Sequence, residues 1–312
     1  MSSPESTPSS GPSAAGSAAL PFGRLTTAMI TPFRPDGSLD LDAAQKVAKH
    51  LVDGGNDALV LNGTTGEAPT TSDQEKVQLI EAVREALGGR AKIVAGVGTN
   101  DTAHTIECAQ QAEAAGADGL LVVTPYYNKP PQDGLRAHFT AVADATGLPN
   151  MLYDIPARAG VEIKTETLIA LAEHPRIVAV KDAKGDLAGT TKVLANTDLF
   201  YYCGADELNL ASLAIGAVGI ASVVAHVASP EYRQLIDAVV AGDLATAQEI
   251  DRRLVPAVET IMTKTQGAIM VKAALKLAGV IEHATLRLPL VEATAEQVDW
   301  LTTDLKTAGL IA

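Results

Sequence analysis

From Arg24 onward, short apolar runs rich in β-branched residues alternate with amphipathic helical patterns at an even pace, and few folds accommodate that alternation. A run without polar interruption reads as a strand buried on both faces, and a helix between successive runs returns the chain to start a parallel neighbour. The runs are Leu25–Ile30, Ala58–Asn62, Ile93–Val97, Gly119–Thr124, Asn150–Tyr153, Ile177–Lys181, Leu199–Gly204 and Val218–Ser222. Eight such units predict an α/β protein, a closed (β/α)8 or TIM barrel. A doubly wound open sheet competes, but it would carry a Gly-rich phosphate turn after an early strand. Here the first run leads instead into Thr31-Pro32-Phe33.

Helix boundaries support the count. Ser72 and Glu75 form a capping box ahead of Val77, Ile80, Val83 and Leu87, and Ser229-Pro230 is expected to open a helix that Gly242 closes. Beyond Gly242 the pattern is helical only. Leu244, Ala247, Ile250 and Leu254 share a face, Met270 to Ala278 forms another helix, and Thr294 with Gln297 caps a last one, while Pro256 is expected to kink or divide the first. The expected organisation is therefore a Ser/Pro/Ala/Gly-rich disordered tail over 1–23, a barrel over 24–242 and a C-terminal helical extension over 243–312. The tail lacks the basic start and long apolar run of a secretory signal.

Charge and cysteine content narrow the function. A formal charge of −13 without a basic cluster argues against nucleic acid and anionic membranes, and no apolar run approaches the roughly 20 residues of a spanning helix. Cys108 and Cys203 stand far apart, which suits a reducing cytoplasm. His50, His104, His138, His174, His226 and His283 show no metal-ligand spacing, so no metal is expected.

In such a barrel the chemistry belongs at the carboxyl ends of the strands. The sixth run ends in Lys181, where apolar walls would disfavour the ammonium form and lower the pKa from about 10.4 toward neutrality. That makes a nucleophile suited to a Schiff base, although a strand-end lysine is also simply the first solvated residue of a loop. After the second run, Gly63-Thr64-Thr65-Gly66-Glu67 makes a tight turn able to aim N–H groups and Thr oxygens at a carboxylate, or an ordinary turn. Tyr126-Tyr127 in a Pro-bracketed loop reads first as a packing patch or subunit contact. Tyr153 ends the fifth run, and Arg158 follows where a guanidinium fork would bind both oxygens of a carboxylate or stand solvated. Together these residues crowd one rim.

Gly63-Thr64-Thr65-Gly66-Glu67, Thr124-Pro125-Tyr126-Tyr127-Asn128-Lys129-Pro130, the stretch from Tyr153 to Arg158, and Lys181 together resemble the dihydrodipicolinate synthase family of pyruvate-dependent lyases, from about Arg24 to the C-terminus. The resemblance implies a synthase joining pyruvate to L-aspartate 4-semialdehyde for diaminopimelate and lysine biosynthesis. It assigns the imine to Lys181, proton transfer to Tyr153 relayed by Thr64 and Tyr127, the pyruvate carboxylate to Thr65, and the semialdehyde carboxylate to Arg158. A backbone carbonyl contact falls at Ala221. It further implies no cofactor beyond the covalent imine, and a homotetramer, a dimer of dimers, in which Tyr127 crosses to a neighbouring subunit.

Two positions depart from the family pattern: Asp154 stands where Asn is common, and Gly219-Ile220-Ala221-Ser222-Val223 replaces Gly-Val-Ile-Ser-Val. At the family's lysine feedback site this chain places Asp73, Lys76, Asn100 and His104, two of which put positive or potentially positive charge where the effector's ammonium would go. Weak or absent inhibition by lysine is therefore expected. The alternatives are a pyruvate-forming aldolase or dehydratase of sugar acids, of the N-acetylneuraminate lyase or 2-keto-3-deoxygluconate aldolase type, and a non-catalytic metabolite-binding relative.

Overall fold

A computed structural model describes residues 20–311. Its strands are β1 (Leu25–Ala28), β2 (Ala58–Leu61), β3 (Lys92–Gly96), β4 (Gly119–Val123), β5 (Asn150–Asp154), β6 (Ile177–Asp182), β7 (Phe200–Cys203) and β8 (Gly219–Ser222). They pair in parallel in chain order, and β1 pairs with β8, so the barrel closes. Each strand lies within two residues of its sequence run. The apolar runs need no polar alternation because both faces are covered: Leu59, Ile93, Leu120, Leu152, Val180 and Ile220 face the helical layer. A second cluster, including Ala58, Val60, Val94, Leu121, Met151, Tyr153, Ala179, Tyr202 and Ala221, fills the interior.

The sixth strand has an irregularity that bears on the chemistry. Asn150 pairs with Ile177 and Met151 with Ala179, so Val178 is an extra residue between successive pairs. After this bulge the period-two alternation turns Ala179, and hence Lys181, toward the interior, while Val180 faces the helices.

Three expectations need correction. Residues 1–19, most of the proposed tail, lie outside the described residues, but the segment's last residues belong to the fold. Phe22 is fully buried in the interior cluster, a placement worth roughly 2 kcal/mol for its ring. It packs so closely on Gly119 that a Cβ there would lie 2.4 Å from the ring. The helix expected to open at Ser229 is preceded by helical residues from Ala225. The two pieces meet at Ala228 (φ −130°), so the start signal marks a break within Ala225–Val240 rather than a first turn. Pro256 does not divide its helix, which runs from Leu244 to Met262. Buried Leu254, Ala257, Val258 and Ile261 hold both sides of the proline, offsetting the lost backbone bond.

Both capping boxes form, at Ser72/Glu75 and Thr294/Gln297. Helices Leu244–Met262, Gly267–Leu277 and Ala295–Thr307 make the C-terminal part, with Leu244–Met262 packed on Ala225–Val240. Among the described residues, no helix is long and apolar enough to cross a membrane.

Candidate active site

Lys181 and Tyr153 are register partners on β6 and β5, so both side chains enter the barrel at the same height near its carboxyl end. Lys181 is 3 % exposed, and its Nζ lies 4.5 Å from the centroid of the Tyr153 ring. Among the described residues no carboxylate pairs with that amine. Room for its stem comes from Gly204, just beyond β7, where a Cβ would stand 2.8 Å from both Cγ and Cε of Lys181.

Beside this pair the turn after β2 is closed by three backbone bonds: Gly66 N–H to Gly63 O (3.0 Å), Glu67 N–H to Thr64 O (3.1 Å) and Ala68 N–H to Gly63 O (3.3 Å). Asn62 and Glu67 take left-handed φ values of 58° and 55° to enter and leave it. Among the described residues the N–H groups of Thr64 and Thr65 are left over, a nest suited to a carboxylate. Thr31, after β1, donates its hydroxyl to Gly66 O at 2.7 Å and ties the turn to the barrel rim.

A cleft of about 1080 Å³ opens above, and Thr64, Tyr127, Tyr153 and Arg158 line it together. Lys181, Thr65 and Ala221 do not line it; Lys181 lies against Tyr153, and Ala221 is fully buried in the interior layer. Arg158 is exposed on the short helix Pro156–Ala159, and its guanidinium makes no hydrogen bond with Tyr153. Tyr127 is 88 % exposed with φ 73°, an uncommon conformation for a bulky residue, and its side chain stands out at the rim.

Asp154 points the other way. Its carboxylate accepts from the Ile163 N–H (3.1 Å) and sits 3.3 Å from Lys184 Nζ, outside the barrel interior. Burial pushes it up to about 6, opposed by the Lys184 charge. The Asn-to-Asp departure therefore alters a support of the β5–β6 rim and leaves the amine's surroundings unchanged.

Along the same cleft, Asp73 accepts from His104 (2.8 Å) and Lys76 (2.9 Å), and Cys108 Sγ lies 3.7 Å away. The hydrogen bond from His104 leads the effects that hold Asp73 at about 2, and burial raises Cys108 to about 11. The histidines were expected to be scattered, yet His104 and Cys108 are four apart on the helix Thr102–Ala114 and meet Asp73. That helical spacing was the signal. The Lys76 ammonium on the same carboxylate opposes a dication there.

Sequence reasoning gave Glu67 no role and missed Lys272 and Arg287. Glu67 is buried behind the turn and receives Lys272 Nζ on one oxygen and the Arg287 N–H (2.9 Å) on the other. Burial lowers Lys272 to about 8 against the pull of Glu67. A lysine in the otherwise apolar run Met270-Val271-Lys272-Ala273-Ala274 was the available clue.

Relatives share this arrangement's sequence over nearly its whole length. A protein of Kineococcus radiotolerans named 4-hydroxy-tetrahydrodipicolinate synthase is 61% identical over 290 residues, 93% of this chain and 94% of its own. A Streptomyces coelicolor protein named 4-hydroxy-tetrahydrodipicolinate synthase 2 is 60% identical over 93% of this chain and 96% of its own. A lysine-bound crystal structure of the Cyanidioschyzon merolae enzyme superposes with a TM-score of 0.90 at 39% identity, covering 93% of this chain and 99% of that one. The family model for the dihydrodipicolinate synthetase family matches residues 21–308. With barrel, strand-end lysine and threonine turn in agreement, the chain belongs to the dihydrodipicolinate synthetase family.

Proposed function

We propose that this chain is a 4-hydroxy-tetrahydrodipicolinate synthase that condenses pyruvate with L-aspartate 4-semialdehyde through an imine on Lys181. The observation that carries the reading is the buried Lys181 amine, facing the Tyr153 ring at the carboxyl end of the barrel. An amine without a carboxylate partner is open to attack a keto carbonyl. Loss of water gives the iminium, and loss of a methyl proton gives the enamine, which attacks the aldehyde carbon. The semialdehyde's amino group then adds to the imine carbon and displaces Lys181, releasing the cyclic product. The iminium is the electron sink, so the sequence of steps asks for no metal or organic cofactor.

Tyr153, against the amine, suits proton transfer at the imine carbon, and Thr64 lines the same cleft. The spare N–H groups of Thr64 and Thr65 suit the pyruvate carboxylate, Arg158 at the rim suits the semialdehyde carboxylate, and the Ala221 carbonyl offers an acceptor below. The exposure of Tyr127 at the rim supports a role across a subunit boundary, in a dimer or dimer of dimers. The expected compartment is the cytoplasm.

Borohydride reduction with pyruvate, followed by peptide mass mapping, tests the reading. It should add the reduced keto acid to Lys181, and Lys181→Ala should abolish both the adduct and the condensation. An unmodified Lys181 would leave only a metabolite binder. Turnover of keto-deoxy sugar acids in place of the semialdehyde would assign the chain to the sugar-acid lyases.

A further inference from the structure

The threonine turn is held from behind by a charged pair that reaches across the whole chain. Glu67 leaves the turn in a left-handed conformation, and its N–H closes the turn on Thr64 O. Its side chain is buried at 2 % exposure, and Lys272, with no exposed surface, approaches it from the C-terminal helix Gly267–Leu277, 205 positions away. Lys272 also donates to Thr285 O at 2.8 Å, and its Nζ lies 4.3 Å from the Phe33 ring centroid. Further along the same segment, Arg287 gives its backbone N–H to Glu67. Its guanidinium goes to Thr70 O (2.8 Å), Gly37 O (2.9 Å) and both oxygens of Glu75, the residue that caps the following helix.

An ion pair with both partners fully buried adds little net stability over an apolar pair of equal volume, because desolvation consumes most of the attraction. What it does supply is direction: two oxygens with fixed donors define where Glu67, and hence the Thr64–Thr65 peptide, must lie. We propose that Glu67 and Lys272 are positioning residues for the reaction, through which the C-terminal helices set the Thr64–Thr65 N–H groups against the keto acid's carboxylate. This rests on the reading of Lys181 as the imine-forming residue. The C-terminal part is on this account a component of the active site, although among the described residues none of its side chains lines the cleft.

The direct test is the double variant Glu67→Gln/Lys272→Met. Its amide still accepts the Arg287 N–H, volume is kept, and no unpaired charge is buried. It is expected to fold with an unfolding midpoint close to the native enzyme's, while KM for pyruvate rises roughly ten-fold or more and kcat changes far less. A second variant, Glu67→Gln/Lys272→Gln, restores a neutral hydrogen bond across the same gap and should bring KM part of the way back. It also serves if the first fails to fold. A native KM for pyruvate in the folded Gln/Met variant, or in the Gln/Gln variant where only that one folds, overturns the proposal whatever the stability. Failure of borohydride to trap pyruvate on Lys181 in the unaltered enzyme would instead strike the underlying reading, so the two failures are distinguishable.

Discussion

Acid should loosen the barrel where β1 and β8 meet, and His226 should be the group responsible. Its ring is fully buried; Nδ1 donates to Val223 O at 2.7 Å, and Nε2 accepts the Ile30 N–H at 3.0 Å. The neutral ring satisfies both partners, whereas a proton on Nε2 would face the Ile30 N–H. Burial accordingly lowers the histidine from 6.5 to about 4. The folded state binds this proton less readily than the unfolded chain, so the contribution is complete above the unfolded value and lost as pH falls from 6.5 toward 4. From those two values the loss is about 2 kcal/mol near pH 5 and about 3 kcal/mol once both are passed. His138, lowered to about 4 by burial, acts in the same window, so a variant is needed to isolate the effect. His226→Gln keeps an acceptor near the Nε2 position and cannot be protonated. Urea unfolding of both proteins near pH 7 and near pH 5 is the assay. The native protein should lose about 2 kcal/mol more than the variant on acidification. Equal losses, or an NMR titration of His226 near 6.5, would refute the reasoning.

Gly204→Ala should leave the fold nearly as stable but push the Lys181 stem aside, because the new Cβ would stand 2.8 Å from its Cγ and Cε. The yield of borohydride-trapped pyruvate and kcat should fall by about ten-fold or more, and unchanged trapping would show that the stem yields freely. L-Lysine at millimolar concentration should inhibit little, since an incoming ammonium meets Lys76 and His104 already gathered on Asp73; a sub-millimolar inhibition constant would contradict this. Tyr127→Ala should lower kcat by about ten-fold or more while leaving the urea unfolding midpoint within error, its side chain being 88 % exposed in the single chain. A variant with full activity would remove Tyr127 from the proton relay.

Those expectations divide along the line between local and distant information. The eight strands were legible because a parallel strand buried on both faces must be apolar along its length, and the capping boxes because their partners are three residues apart. Lys181 was legible for the opposite reason, as the polar residue closing such a run. Phe22 was not, since one aromatic beside a Ser/Pro/Ala/Gly stretch gives no periodicity, and only the closed barrel creates the hole it fills. Pro256 does not divide its helix because its local preference is outweighed by the apolar contacts on either side. The pairing of Glu67 with Lys272 needs two elements from opposite ends of the chain in place before either charge has a partner.

The two least legible features converge on one piece of backbone. His226 fixes Ile30; the next residue, Thr31, binds Gly66 O; the residue after that, Glu67, is held by Lys272 and Arg287. The Thr64–Thr65 turn is therefore anchored on one side by the seam that closes the barrel and on the other by the C-terminal helices. A carboxylate nest needs such anchoring, because its N–H groups gain from a substrate only if they do not first have to be ordered by it. The two anchors also fail differently. Acid acts on the His226 side and lowers stability together with activity, whereas neutralising Glu67 and Lys272 together acts on pyruvate binding with the barrel intact. Near pH 5 the native enzyme should thus lose about 2 kcal/mol of stability and weaken its keto-acid site in step, and the double variant near pH 7 should lose only the second.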